Sequence, residues 1–373
     1  MMKAQISRAN YITRNTGNFS DELEIDGIKY TKVDDLRYGT NPHQPAAFYK
    51  PTNLQTPIGS LEILKTGKNG LSQTNLEDIS YSLNIVKFFD APSCAVMKHV
   101  NPSGAAVAVK NENVKKVYIK ARDCDPRAAF GSTVGFNCLI DKATAEEIMS
   151  SFVECIVAPS YSEEAMKVFN DSPKFKINSS IRIIKCGNLC ELPRFTGEAD
   201  KRHRTLKTLA DGSIVVAEPL LTNLRTINDI KMAEAENARS GRHSSLYRPS
   251  VEQLNDLLAA WYVNINVRSN GVVIYKNGET LSVGTGEQDR VGAVEQAIEK
   301  YSQKYQGKES IEGSAMASDG FFPFPDAVET AAKAGVKAII APAGSINDAD
   351  VIKRANELGV ALTYAPERIF SHH

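Results

Sequence analysis

The second half of the chain switches cleanly between two hydrophobic periods. Residues 271–284, GVVIYKNGETLSVG, alternate around Asn277-Gly278 and predict a β-hairpin closed by a tight turn. Residues 288–305, QDRVGAVEQAIEKYSQKY, place apolar side chains at helical spacing and predict an amphipathic helix. Residues 325–335, PDAVETAAKAG, open on Pro with an early Asp and close on Gly, the order helices prefer. The run VKAIIAP, NDADVIKRANELG, VALTYAP then predicts strand, helix, strand. Upstream, residues 251–268, VEQLNDLLAAWYVNINVR, predict a helix leading to a strand that ends at Arg268.

The first half repeats this order. Residues 131–168 and 313–353 both begin with Gly-Ser and a short apolar strand, and both continue through a helix to a strand ending in Ala-Pro. Residues 76–98 run as a helix and then a strand ending at Lys98, which places Asn270 where the second half mimics Lys98. The shared order predicts a duplicated α/β unit with mixed sheets, at a period too long for a solenoid. The polar stretch 196–212 is the expected boundary, giving lobes 1–200 and 201–373. In CAVMKHVNPSG (94–104) the apolar run ends in charge, and Asn101-Pro102-Ser103-Gly104 reads as a turn. Lys98 and His99 are thus expected at the end of a buried strand, where a loop meets a cleft.

Charge narrows the class. Lys plus Arg equals Asp plus Glu at 44 each, which argues against a nucleic-acid or membrane-surface role for the whole protein. The segment MMKAQISRAN has no apolar signal core, and no run approaches the roughly 20 apolar residues of a membrane span, so a cytoplasmic location is expected. Six cysteines in 373 residues make no disulfide framework, and the close pair Cys186 and Cys190 lacks a second pair to complete a zinc site.

Several segments carry candidate chemistry. In Lys98-His99 an imidazole can take a proton from an amine nucleophile, and the ammonium beside it can stabilise developing negative charge; the alternative is a surface lysine next to a hydrogen-bonded histidine. Arg37-Tyr38-Gly39, followed by Asn41-Pro42-His43-Gln44, offers a guanidinium fork for a phosphate, or a structural turn. Asn270 can hold an oxyanion or a carboxamide, or simply form an Asn-Gly turn. Gly284-Thr285-Gly286 precedes a helix containing Arg290 and can present N–H groups to an anion. It is not a dinucleotide fingerprint, because Asp289 stands where a third Gly is required. Residues 319–326, DGFFPFPD, place three aromatics beside two acids, as a flat-ring pocket or as a core strand entering a helix.

Taken in order, LRYGTNPHQ, AVMKHVNPSG, AAFGSTVGFN, VRSNG, GTGEQDRV, SDGFFPFPD and IIAPAGS closely resemble the AICAR transformylase family, from about residue 20 to the last. That domain is usually the C-terminal part of a bifunctional purine enzyme that also carries IMP cyclohydrolase. The resemblance implies two cytidine-deaminase-like three-layer lobes and an intertwined homodimer with sites at the subunit interface. It implies transfer of a formyl group from 10-formyl-tetrahydrofolate to the 5-amino group of AICAR. His99 matches the general base and Lys98 its transition-state partner, with Asn270 beside them. Arg37, Tyr38, Gly131, Glu154, Arg290, Phe321 and Arg368 match nucleotide contacts. Val291, Asp326, Ser345 and Ile346 match folate contacts. The resemblance also implies a monovalent-cation site, potassium, near Asp319. The cyclohydrolase domain is not expected here, so a separate IMP cyclohydrolase would act downstream. Pro325, and Gln73-Thr74-Asn75 in place of the Tyr-Asn-Asn of many relatives, depart from the family pattern. A zinc deaminase of the same fold would need H-x-E and P-C-x-x-C, and neither occurs, so no zinc is expected. The rival of another class is a non-catalytic nucleotide- or folate-binding regulator.

Overall fold

The computed structural model describes residues 14, 16–67, 69–171, 173–238 and 241–373. Among them, twelve strands form one mixed sheet. In the first half these are β1 (Glu62–Lys65), β2 (Ser93–Lys98), β3 (Asn101–Val107), β4 (Ser132–Phe136), β5 (Val153–Ala158) and β6 (Arg182–Lys185). In the second half they are β7 (Lys231–Met232), β8 (Val272–Lys276), β9 (Glu279–Gly284), β10 (Ala315–Ser318), β11 (Ala338–Pro342) and β12 (Ala361–Ala365). The helices are α1 (Gln73–Val86), α2 (Val114–Asp123), α3 (Pro126–Ala129), α4 (Lys142–Ile148), α5 (Glu163–Asn170), α6 (Val251–Asn264), α7 (Arg290–Lys304), α8 (Asp326–Ala334) and α9 (Asp348–Glu357).

The order across the sheet is β7-β12-β11-β10-β8-β9-β3-β2-β4-β5-β6-β1. Each half contributes the same pattern outward from the middle. An antiparallel hairpin (β3–β2, β9–β8) is followed by one antiparallel neighbour (β4, β10). Two parallel neighbours come next, and an antiparallel edge strand ends the row. The parallel neighbours are joined by helices, as parallel connections require. Serine caps with reciprocal side-chain bonds start both α1 and α6, and Gly335 at φ +108° ends α8.

Strand alternation divides the core into layers. Ala95, Met97, Val273 and Tyr275 face one apolar cluster shared with Leu83 of α1 and Trp261 of α6. Their neighbours Cys94 and Val96 face a second cluster under α2, α4 and α5. Val272 and Ile274 face a third under α7, α8 and α9. The fold is therefore the expected three-layer α/β class with a mixed sheet. At the seam between halves, β3 and β9 share the single pair Ala106–Glu279. The Thr280 hydroxyl continues the ladder, accepting from the Ala105 N–H at 2.8 Å and donating to the Ala105 carbonyl at 3.1 Å.

Two expectations are corrected. Asn101–Gly104 is not a turn but the start of β3. Gly104 is there for close packing, since a Cβ would lie 2.1 Å from the Ala121 carbonyl of α2. Pro102 sits beside a register shift between Val96 and Met97, where the ladder is already interrupted. The turn itself falls on His99 and Val100. Second, residues 265–268 are not a strand. Asn266 and Val267 donate to the carbonyls of Val263 and Asn264 in short turns that continue α6. The apparent alternation arises because Asn264 and Asn266 are themselves fully buried. The strand begins at Val272, so Lys276, not Asn270, is the counterpart of Lys98.

Candidate functional site

The hairpin β2–β3 turns through two residues, His99 (φ +53°) and Val100 (φ +64°). Asn-Gly usually fills such turns, because both positions need the left-handed region. Val is β-branched and ill suited to it, so the conformation is held from outside. The Val100 N–H donates to the Asp78 carboxylate of α1 at 2.7 Å, and the Val100 carbonyl lies 2.6 Å from His373 Nε2. The Asn101 side chain accepts from the Arg268 N–H at 3.1 Å and from the Thr285 hydroxyl at 2.8 Å. Lys98 Nζ donates to the Gly131 carbonyl at 2.7 Å. Gly131 has φ +69°, and a Cβ there would come within 3.1 Å of the Phe152 ring.

The turn opens on a cleft of about 430 Å³ lined by Arg37, Tyr38, Lys98, His99, Gly131 and Glu154, with Asp78 and the start of α1 completing its wall. Six of the residues singled out in the sequence thus meet in one place. Arg37 is buried, stacks 4.6 Å from the Tyr38 ring centroid and donates to the Tyr38 hydroxyl at 3.0 Å. Burial, and then the neighbouring Arg182, lower the Arg37 pKa. Arg182 is fully buried beneath Glu154, donating to its carboxylate at 3.1 Å and to the Gly70 carbonyl at 2.8 Å. Ser72, Thr74 and Asn75 bring the N-terminus of α1 to the cleft, an end that favours anions. Burial pushes the Asp78 carboxyl up to about 6, against the opposing pull of the Val100 N–H and Lys98.

Asn270, Arg290, Phe321 and Arg368 do not line this cleft. They gather in the second half around the end of β10. Arg290 pairs with the fully buried Asp319 carboxylate, whose other oxygen accepts from the Gly271 N–H at 2.8 Å. The guanidinium carbons of Arg290 and Arg368 lie 5.7 and 4.4 Å from the Phe370 ring centroid. Asn270 donates both its N–H and its side-chain amide to the Glu287 carbonyl. The two clusters are joined through the Asn101–Arg268 bond and through Ser371, whose carbonyl accepts from the Ser269 N–H at 2.9 Å.

A model of the AICARFT/IMPCHase bienzyme family matches residues 4–300. The chain belongs to that family. It is 34% identical over 368 residues to the bifunctional purine biosynthesis protein PurH of Oceanobacillus iheyensis. It is 36% identical over 365 residues to the PurH proteins of Bacillus cytotoxicus and Bacillus cereus. These matches cover 98% of the chain, which spans 64% of each relative.

Within this family frame the remaining expected residues fall on the surface of the second half. Val291 lies in the first turn of α7 and Asp326 opens α8. Ser345 and Ile346 follow β11, with Ile346 88% exposed. Asn347 reaches back to the Pro323 carbonyl at 2.8 Å, so the loop after β11 lies against the one that leads to Asp326. Of the aromatics before Asp326, Phe322 is core while Phe321 and Phe324 are exposed. At the segment where the cation is expected, the Asp319 carboxylate is engaged by Arg290 on one oxygen and by the Gly271 N–H on the other. Among the described residues no group of three or more His, Cys, Asp or Glu side chains could hold a metal, and no helix is long and apolar enough to cross a membrane. Sequence reasoning missed Asp78 and Arg182. Both sit inside regular elements, where a charged residue reads as a solvated face. The signal for Asp78 was the repeat, because Asp78 and Asp256 each stand sixth in their helix.

Proposed function

We propose that the protein transfers a formyl group from 10-formyl-tetrahydrofolate to the 5-amino group of AICAR, giving formyl-AICAR and tetrahydrofolate in purine biosynthesis. The observation that carries this reading is the presentation of Lys98 and His99 on a tight turn at the mouth of a cleft that also holds Arg37, Tyr38, Gly131 and Glu154. Membership of the AICARFT/IMPCHase family and the likeness to purine biosynthesis proteins support it.

The AICAR amine is a weak nucleophile, because its lone pair is delocalised toward the carboxamide. Its nitrogen attacks the formyl carbon as the exposed His99 imidazole takes up a proton. The carbonyl electrons move to oxygen, and the Lys98 ammonium stabilises that oxyanion. Collapse of the intermediate breaks the bond to the folate nitrogen, which leaves with a proton as tetrahydrofolate. Arg37, Tyr38 and the α1 N-terminus hold the nucleotide. Asn270, Arg290, Phe321 and Arg368 supply further nucleotide contacts, and Val291, Asp326, Ser345 and Ile346 hold the folate. Binding two large substrates side by side supplies much of the remaining rate.

The working form is a homodimer with its sites at the subunit interface, each copy built from lobes 1–200 and 201–373. Separation of the site residues into two clusters supports this. So does the ribbon Thr205–Thr208 with Ile214–Ala217, which leaves Ile214, Val215 and Val216 between 48% and 61% exposed; a two-stranded ribbon is marginal unless something covers it. The protein acts in the cytoplasm, and an IMP cyclohydrolase activity consumes its product.

The test is a spectrophotometric assay of tetrahydrofolate formation from AICAR and 10-formyl-tetrahydrofolate, with wild type beside His99→Ala. AICAR-dependent turnover is expected, with a loss of about 10²-fold or more in the variant. Bound AICAR without turnover would sink the enzyme reading in favour of a regulator. Turnover indifferent to His99 would keep the function and overturn the assigned base.

A further inference from the structure

We propose that Asp78 and His373 are positioning residues that pin the Val100 peptide from its two sides and so fix His99 at the cleft; this rests on reading His99 as the base. The peptide groups of Val100 are each engaged by an ionisable side chain from a remote segment. Asp78 reaches its N–H from α1, and His373 meets its carbonyl from 273 positions further along the chain. A carbonyl only accepts, so His373 Nε2 must carry the proton. Its Nδ1, 2.7 Å from the Ser371 hydroxyl, is then the acceptor of that hydroxyl's proton, and one tautomer is selected. The ring rests against Tyr81 with centroids 4.5 Å apart, and burial lowers its pKa, which keeps it neutral at pH 7.

The sister hairpin gives the reference. There Asp256, at the same helix position as Asp78, accepts from the N–H groups of Asn277 at 2.9 Å and Gly278 at 3.3 Å. Asn-Gly takes the left-handed conformation readily. In the first half a valine occupies the glycine position, and the carbonyl, which in the sister turn accepts from the Val107 N–H at 2.8 Å, is met by the His373 side chain instead. Both residues of that turn line the cleft, and the one that can carry a proton is His99.

The test compares Asp78→Ala and His373→Ala with Asp78→Asn and His373→Gln, whose amides can still accept and donate at those atoms. Hydrogen exchange at the amides of residues 99–101 reads the pin without requiring turnover. We expect exchange about 10-fold faster or more in the alanine variants and near wild type in the amide variants. With AICAR and 10-formyl-tetrahydrofolate, kcat falls about 10-fold in the alanine variants while the KM for AICAR stays within about 3-fold, and the amide variants restore most of kcat. In a His99→Ala background, Asp78→Ala costs less than about 2-fold further, because the pin acts through His99. Should Asp78→Ala not fold, Ser371→Ala frees the His373 tautomer from outside the core and should speed exchange in the same segment. Unchanged exchange in the alanine variants, or equal losses in both backgrounds, overturns the proposal. A wild type without turnover would instead remove the formyl-transfer reading, and exchange would still decide the pin.

Discussion

The turns of β2–β3 and β8–β9 occupy equivalent places in the two halves, share a left-handed backbone and accept help from an aspartate at the same point of the preceding helix. They differ in what they are made of. Asn277-Gly278 uses the residues that such a turn prefers, and its two carbonyls accept from the Lys120 ammonium at 2.9 Å and the Val107 N–H at 2.8 Å. His99-Val100 uses two that disfavour it, at a cost of order 1–3 kcal/mol for each strained residue. A turn that closes a sheet can follow propensity; a turn that presents an imidazole to a cleft takes the residue the cleft needs and is held in place by its surroundings.

That contrast can be broken by exchange. The largest effect is expected from grafting the second turn onto the first, His99→Asn with Val100→Gly. Turnover should fall about 10²-fold or more, equivalent to about 3 kcal/mol of transition-state stabilisation, while thermal unfolding shows a protein at least as stable as wild type. Activity that survived the graft would place the base elsewhere. The reverse change, Gly278→Val, should destabilise by about 2–3 kcal/mol in denaturant unfolding. The residue has φ +78°, and its Cβ would lie 2.3 Å from a Val109 methyl and 2.6 Å from the Val107 carbonyl.

Asp78→Asn sharpens the comparison through pH. The folded carboxyl at about 6 lies above the unfolded value near 3.9. Ionising it therefore costs stability as pH rises through that window, and the cost persists above it. The variant should match wild type near pH 3.5, gain between about pH 4 and 6, and stay ahead by about 3 kcal/mol at pH 7 to 8. A constant difference at all pH values would remove the buried carboxylate as its cause. Smallest is the seam between halves, where Thr280→Val strips the Ala105 N–H of its partner and should cost about 1 kcal/mol.

Much of this architecture was legible in the sequence, because the second half obeys local rules. The Asn277-Gly278 hairpin, the helix from Arg290 and the Pro-to-Gly helix before β11 lie where periodicity and end signals put them. Misreadings came where one residue type serves two physical needs. Asn101–Gly104 has the composition of a turn, yet Gly104 is small because α2 crosses it and Pro102 sits beside a bulge. Asn264 and Asn266 look like the solvent side of a strand, but are buried amides at the end of α6. In the candidate site, Lys98, His99, Arg37 and Glu154 stood out by chemistry or resemblance. Asp78 and Arg182 did not, because their importance lies in what they touch from far along the chain.

The bond between Val100 and His373 also sets an order in time. At a synthesis rate of about 5–20 residues per second, the 273 positions that separate them take roughly 14–55 s to synthesise. By then β2, β3 and α1 are outside the ribosome and free to pair. The turn bearing His99 is therefore built early and anchored late, when this distant contact closes its long loop. A nascent chain carrying a folded first half displays Lys98 and His99 but lacks the second anchor, and the finished site waits for the docking of the segment that bears His373.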